Sequence, residues 1–272
     1  MTHEQLAVGR DMTSSILKVE QHGAVRLLTI DDPPWNVMSV AFMNDLEREV
    51  AAIAADDATR AVVITGSGDA NFSAGMNLKE VVAILGNQAA FDKLLDQRLR
   101  VLSAIENMAK PWVVTLFGHC LGGGLELPLA CHFRIAAEEG AKIGLPEMDL
   151  GSVPAWGGSA RLTRCVGRDH ALDMILRGLK ISGPRAKEIG LVTEVVPMAA
   201  LKARALELAQ ELASMPRLAV KSMMECIVGS ELRTLEESLA DERAAVHATF
   251  GSADAAEGLQ AFLQKRKPIF NK

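Results

Sequence analysis

The stretch LGGGLELPLA, Leu121 to Ala130, sets three consecutive glycines ahead of an apolar run carrying a single carboxylate, Glu126. Glycines at a helix N-terminus let a ligand approach the backbone and leave free N–H donors at the positive end of the helix dipole. Rigid donors shielded from water stabilise an oxyanion. The same glycines also permit tight helix–sheet packing, and alone they favour neither reading. Glu126 is a misfit in such a segment, because desolvating an unpaired charge is costly. It either gains from the dipole at the first turn or serves as an acid–base group with a raised pKa.

The flanks of this segment indicate how it is held. WVVTLF (Trp112–Phe117), just after Pro111, and HFRIAA (His132–Ala137) read as buried strands on either side of a glycine-led helix. Further upstream, SILKVEQHGAVRLLTID alternates apolar and polar residues around His22-Gly23, a β-hairpin signal ended by Pro33-Pro34. From Ala41, Phe42, Leu46, Val50 and Ile53 fall on one helical face. RAVVITGS (Arg60–Ser67) is a β-branched strand, and the run from about Leu78 to Met108 reads as helical. Strands alternating with helices predict an α/β fold with parallel strands and helical crossovers. Beyond Pro197 the pattern changes to long helices, which suggests an oligomerisation or lid element. The expected organisation is a loose polar tail over 1–13, an α/β body over 14–199 and a helical segment over 200–272.

Composition narrows the function classes. The chain has 272 residues, 49% hydrophobic, with a net charge of −5, so no broad basic field points to nucleic acid or anionic membrane. Four cysteines (Cys120, Cys131, Cys165, Cys226) lack metal-ligand spacing and read as free thiols of a reducing compartment. No apolar run approaches the ~20 residues of a membrane span. The first residues lack a secretory core, and Glu4 and Asp11 speak against a mitochondrial presequence, so a cytoplasmic protein is expected.

Glycine loops after strands also invite a nucleotide reading. GSGDAN (Gly66–Asn71) offers GxG, but Asn71 takes the third glycine position, and no GK[ST] occurs. A lone GxG is weak evidence for a dinucleotide. A second carboxylate, Glu147, follows Pro146 in GLPEMDLGSVP, just past the third strand. Alone it is an ordinary loop glutamate.

Taken together, NFSAGMNLKE, GHCLGGGLELPLAC, IGLPEMDLGSVPAWGGSARL, AKEIGLVTEVVP and AAEGLQAFLQKRKPIF resemble the crotonase superfamily, and within it the enoyl-CoA hydratases. The likeness spans nearly the whole chain. It implies a spiral of ββα units with a C-terminal helical oligomerisation segment, assembled as a homotrimer or a hexamer of paired trimers. It implies an acyl-CoA thioester substrate and no cofactor or metal, coenzyme A being part of the substrate. By motif, the thioester oxygen is held by the backbone N–H groups of Met76, after the SAG of Ser73, Ala74 and Gly75, and of Gly123, beside Gly122. Two glutamates that bracket a water over the enoyl double bond map onto Glu126 and Glu147, the first activating water and the second supplying the proton.

Departures from the family pattern concern the acyl pocket and the CoA contacts. GGSARL has Ala160 where a glutamine is frequent, and Trp156 stands where a small residue is typical. Trp156 is either core packing or a narrowing of the acyl pocket. The early loop DDPPWN lacks the usual basic residues, leaving Lys79, Lys265, Arg266 and Lys267 as candidate phosphate contacts or plain solvated charges. His119, beside the glycine triplet, reads as packed or partly exposed rather than catalytic. An enoyl-CoA isomerase is the nearest rival. A hydroxycinnamoyl-CoA hydratase-lyase fits less well, because the chain has no tyrosine and keeps Glu126. An RNA-binding relative, a NAD-dependent oxidoreductase and a non-catalytic scaffold are weaker alternatives.

Overall fold

The computed structural model describes residues 15–272, so the expected tail over 1–13 lies outside the described residues. In chain order the elements are β1 (Leu17–His22), β2 (Val25–Ile30), α1 (Val40–Ala55), β3 (Ala61–Gly66), α2 (Leu78–Ala83), α3 (Gln88–Glu106), β4 (Trp112–Leu116), β5 (His119–Leu121) and α4 (Gly123–Ala130). There follow β6 (Phe133–Ala137), β7 (Lys142–Gly144), a 3₁₀ turn (Glu147–Leu150), α5 (Gly158–Val166), α6 (Arg168–Leu176), α7 (Gly183–Glu188) and β8 (Glu194–Val196). Four helices end the chain: α8 (Leu201–Ser214), α9 (Arg217–Gly229), α10 (Leu235–Thr249) and α11 (Ala253–Leu263).

The hairpin forms as its alternation predicts: β1 pairs antiparallel to β2, from Leu17↔Ile30 to His22↔Val25. Every later pairing in the main sheet is parallel, in the order β1-β2-β3-β4-β6-β8. Strands β3 and β4 are buried throughout, which fits their unbroken apolar runs. A second, two-stranded parallel sheet joins β5 to β7. Helix α1 buries Phe42, Met43, Leu46, Val50 and Ile53, the stripe read from its spacing. Its N-cap is Ser39, whose side chain accepts from the Phe42 N–H.

The helical run expected from Leu78 to Met108 is broken into α2 and α3. Gly86 turns the chain at φ +83, and Asn87 then caps α3 by accepting from the Ala90 N–H at 3.1 Å. This break opens one wall of a cleft. Helix α8 packs on the sheet through Leu201, Ala205, Ala209 and Ala213, residues four apart on one face. Among the described residues no helix is long and apolar enough to cross a membrane.

Candidate active site

Strand β5 holds the site's two loops together. The Leu121 N–H donates to the Ser73 carbonyl (3.2 Å), and the Ser73 N–H donates to the His119 carbonyl (3.0 Å). Ser73 also accepts at Oγ from the Gly75 N–H (3.1 Å), while the Ala74 N–H donates to the Trp35 carbonyl. Gly75 adopts φ +94, and a Cβ there would lie 3.3 Å from the Gly123 nitrogen. The Ser73–Met76 loop and the start of α4 are therefore immediate neighbours.

Gly122 stands at φ +56 and leads into α4, whose first residue is Gly123. A first-turn N–H has no intrahelical acceptor, so that of Gly123 remains an open donor at the positive helix end. A Cβ on Gly123 would collide with the Trp156 ring, and one on Gly124 would collide with the Ser73 carbonyl. Glycine is thus enforced here by close approach.

Glu126 is 2% exposed and points from α4 toward the segment preceding α5. Its Oε1 accepts two backbone N–H groups, from Trp156 (2.7 Å) and Gly158 (2.8 Å). Burial pushes its pKa up to about 7, partly countered by these two donors and by Arg161, while Glu147 pushes it further upward. Glu147 opens the 3₁₀ turn and is held differently. Its Oε2 is shut off from solvent and has no hydrogen-bond partner among the described residues. Burial raises its pKa as well, against an opposing contribution from its own backbone N–H.

Both carboxylates line one cleft of about 570 Å³, together with Ala74, Gly75, Met76, Gly122, Gly123 and Trp156. The rest of its wall is mostly apolar, from Leu78, Val81, Ile84, Phe91 and Leu95 on one side and Leu150, Val153 and Ala155 on the other. Trp156 is buried in the core and also bounds the cleft.

Other candidates fall outside this cleft. Ser73 lies behind it, as a strut for the loop. Lys79 is exposed on the first turn of α2, next to the cleft-lining Leu78. Lys265 and Arg266 follow α11, and Arg266 grips Glu257 with two prongs (2.6 and 2.9 Å), holding that carboxyl down to about 2. His119 is half-buried and bonded through Nδ1 to the Asn71 Oδ1 (2.6 Å). Cys120 and Cys131 are buried free thiols.

Sequence reasoning missed the frame behind Trp156. Arg161 donates from Nη1 to the Trp156 carbonyl (2.8 Å) and grips Glu106 with Nε and Nη2 (2.9 and 2.7 Å). Arg161 lies in GGSARL, a motif read for its absent glutamine. The arginine beside that position carried the signal.

The enoyl-CoA hydratase/isomerase family model matches residues 20–272. The chain belongs to that family. A probable enoyl-CoA hydratase of Bacillus subtilis is 38% identical over 95% of this chain and 99% of its own length. One from Rhizobium meliloti is 37% identical with the same coverage. A solved enoyl-CoA hydratase structure from Geobacillus kaustophilus superposes with a TM-score of 0.91 at 30% identity, over 96% of this chain and 98% of that one. The crotonase-type fold is thereby established, and with it an enzyme of the hydro-lyase kind from a family acting on acyl-CoA thioesters.

Proposed function

We propose that the enzyme reversibly adds water across the 2,3 double bond of an α,β-unsaturated acyl-CoA, giving the 3-hydroxyacyl-CoA. The observation that carries this reading is the pair of carboxylates, buried Glu126 and half-buried Glu147, lining one cleft with Met76 and Gly123. Attack of water at Cβ drives negative charge onto the thioester oxygen, which the N–H groups of Met76 and Gly123 stabilise. One such donor is worth roughly 3 kcal/mol.

Glu126 takes the proton of the attacking water, and Glu147 delivers a proton to Cα. A pKa near 7 suits Glu126 to this role, because it then accepts a proton readily while a substantial fraction, about half, is ionised at neutral pH. Glu147, half-buried and unpartnered at Oε2 among the described residues, has an oxygen open to carry a proton to Cα, and burial raises its pKa. The two titrate as a pair. The CoA moiety arrives with the substrate, so the reaction needs no separate cofactor. Lys79 is the cationic side chain nearest the cleft rim in sequence, and Lys265 and Arg266 would reach the CoA phosphates only through the C-terminal segment.

A homotrimer or hexamer belongs to the same reading. It is supported by the large apolar side chains that α10 and α11 leave in solvent, with Phe262 at 82% exposure alongside Phe250, Leu259 and Leu263. Light scattering of the purified chain is expected to give three or six copies, and a monomer would remove this part of the proposal.

The deciding experiment follows loss of the conjugated thioester's ultraviolet absorbance with crotonyl-CoA, with Glu126→Gln and Glu147→Gln run in parallel. Rapid loss in the wild type that collapses in both variants is expected. Full activity in Glu126→Gln would overturn the assignment. A variant that stops hydration yet still shifts a 3-enoyl-CoA double bond would identify an isomerase.

A further inference from the structure

Helix α3 lines the cleft with Gln88, Phe91 and Leu95, residues three and four apart on one face. The next position on that stripe is Arg98, only 1% exposed. Its guanidinium lies 5.6 Å from the centroid of the Trp156 ring, the same ring that bounds the cleft beside Gly123. One nitrogen, Nη1, is used, donating to the Leu94 carbonyl (3.2 Å) and the Gln97 Oε1 (3.1 Å). Nε and Nη2 are buried with no hydrogen-bond partner among the described residues.

A buried guanidinium in this state is expensive. Leaving buried charged donors unpaired forfeits several kcal/mol, and a hydrophobic side chain of similar volume would serve an apolar pocket better. Stacking on Trp156 returns only part of that. Burial lowers the pKa of Arg98 only to about 10, so the group stays cationic at neutral pH. Arg98 is absent from the cleft lining and instead borders a second cavity with Glu80, whose charge acts on it from a distance, but among the described residues no carboxylate is in hydrogen-bond contact with it.

We propose that Arg98 is the inner end of the acyl subsite and that the preferred acyl chain carries a carboxylate at the end remote from the thioester. This rests on the acyl-CoA reading of the cleft. The carboxylate takes the two unpaired donors, Nε and Nη2, which sit side by side on the guanidinium and match two carboxylate oxygens. It reaches them past Leu95 and Trp156, by a rotamer change at the half-buried Leu95 one turn before Arg98. Trp156 then has a specificity role, fixing the plane against which the guanidinium lies.

Binding of saturated CoA esters tests this without requiring turnover. Calorimetry compares succinyl-, adipyl- and suberyl-CoA with butyryl-, hexanoyl- and octanoyl-CoA, on wild type, Arg98→Met and Arg98→Lys. In the wild type at least one dicarboxylic ester is expected to bind about 10- to 100-fold tighter than its apolar counterpart, the worth of a charge-assisted pair. In Arg98→Met that ratio falls to within about twofold of unity, and Arg98→Lys retains part of it. No preference at any length in the wild type overturns the proposal, even if Arg98→Met fails to fold. Equal losses for both series in Arg98→Met would reduce Arg98 to a buttress for Trp156 and overturn it too. If no CoA ester binds at all, the acyl-CoA reading itself fails, which is a separate result.

Discussion

The two carboxylates of the cleft are held in opposite ways. Glu126 stands on a buried helix with one oxygen fixed by the Trp156 and Gly158 N–H groups. Glu147 stands on a 3₁₀ turn, half-buried, with its Oε2 unpartnered among the described residues. On the proposed mechanism, the tether at Oε1 leaves the other Glu126 oxygen for a water, and the unpartnered Glu147 Oε2 is the one that would turn toward Cα. The contrast teaches that burial alone does not define an acid or a base: both pKa values rise, and only at Glu126 do backbone donors from other residues oppose the rise.

The strongest way to break the comparison is to remove each charge and read two quantities. Glu126→Gln and Glu147→Gln should each lower kcat/KM for crotonyl-CoA by about 10²- to 10⁴-fold. Stability should separate them. The Glu126 pKa is raised in the folded state, so its proton stabilises the fold below pH about 4.5, and that contribution is lost as pH rises through about 7. A neutral amide keeps an oxygen for both N–H donors and escapes this loss. Glu126→Gln should therefore be more stable than wild type at about pH 8 by up to roughly 3 kcal/mol, with no gain at about pH 4. Denaturant titration at the two pH values checks it; a variant less stable than wild type at alkaline pH would refute the burial argument.

A smaller effect tests the glycine that faces both carboxylates' substrate. Gly123→Ala drives a methyl into the Trp156 ring, so the ring or the helix start must move. A cost of about 1–3 kcal/mol in stability follows from overpacking. Losing the donor's aim costs about 10²- to 10³-fold in kcat. Gly23 in the β1–β2 hairpin, whose Cβ would meet nothing within 4 Å, is the control for glycine loss outside the cleft. Its φ of +62 predicts only backbone strain there.

Much of this was legible beforehand where side-chain pattern and structure share a period. The hairpin, α1, β3, β4 and β6 follow from alternation or a 3.6-residue stripe, and the glycine triplet was legible as a close approach. Short strands escaped: β5, β7 and β8 have three residues each, too few to show a period. The break at Gly86 escaped because apolar residues continue across it, and only the glycine's left-handed turn and the Asn87 cap divide the run. The charged residues behind Trp156 were hidden for a different reason. Arg98 and Glu106 stand on α3 and Arg161 on the distant α5, and each alone reads as an ordinary charged residue on a helix.

Arg161 provides the finest test of the contrast, because it acts on Glu126 without touching it. It fastens the Trp156 carbonyl, whose residue donates the N–H to Glu126, and its charge holds the Glu126 pKa down. Arg161→Met should remove both influences. The acid limb of the kcat/KM profile, set by ionisation of Glu126, should then move to higher pH by less than about one unit, since the charge is not in contact. A drop of about tenfold in kcat at the optimum should accompany it, from looser aim of the carboxylate. Glu106 loses its partner but is partly solvent-exposed, so folding should survive. A fall in kcat with an unmoved limb would assign Arg161 to packing alone. A limb that moves to lower pH would mean that the titrating group is not Glu126, and the roles drawn from the two tethers would have to be exchanged.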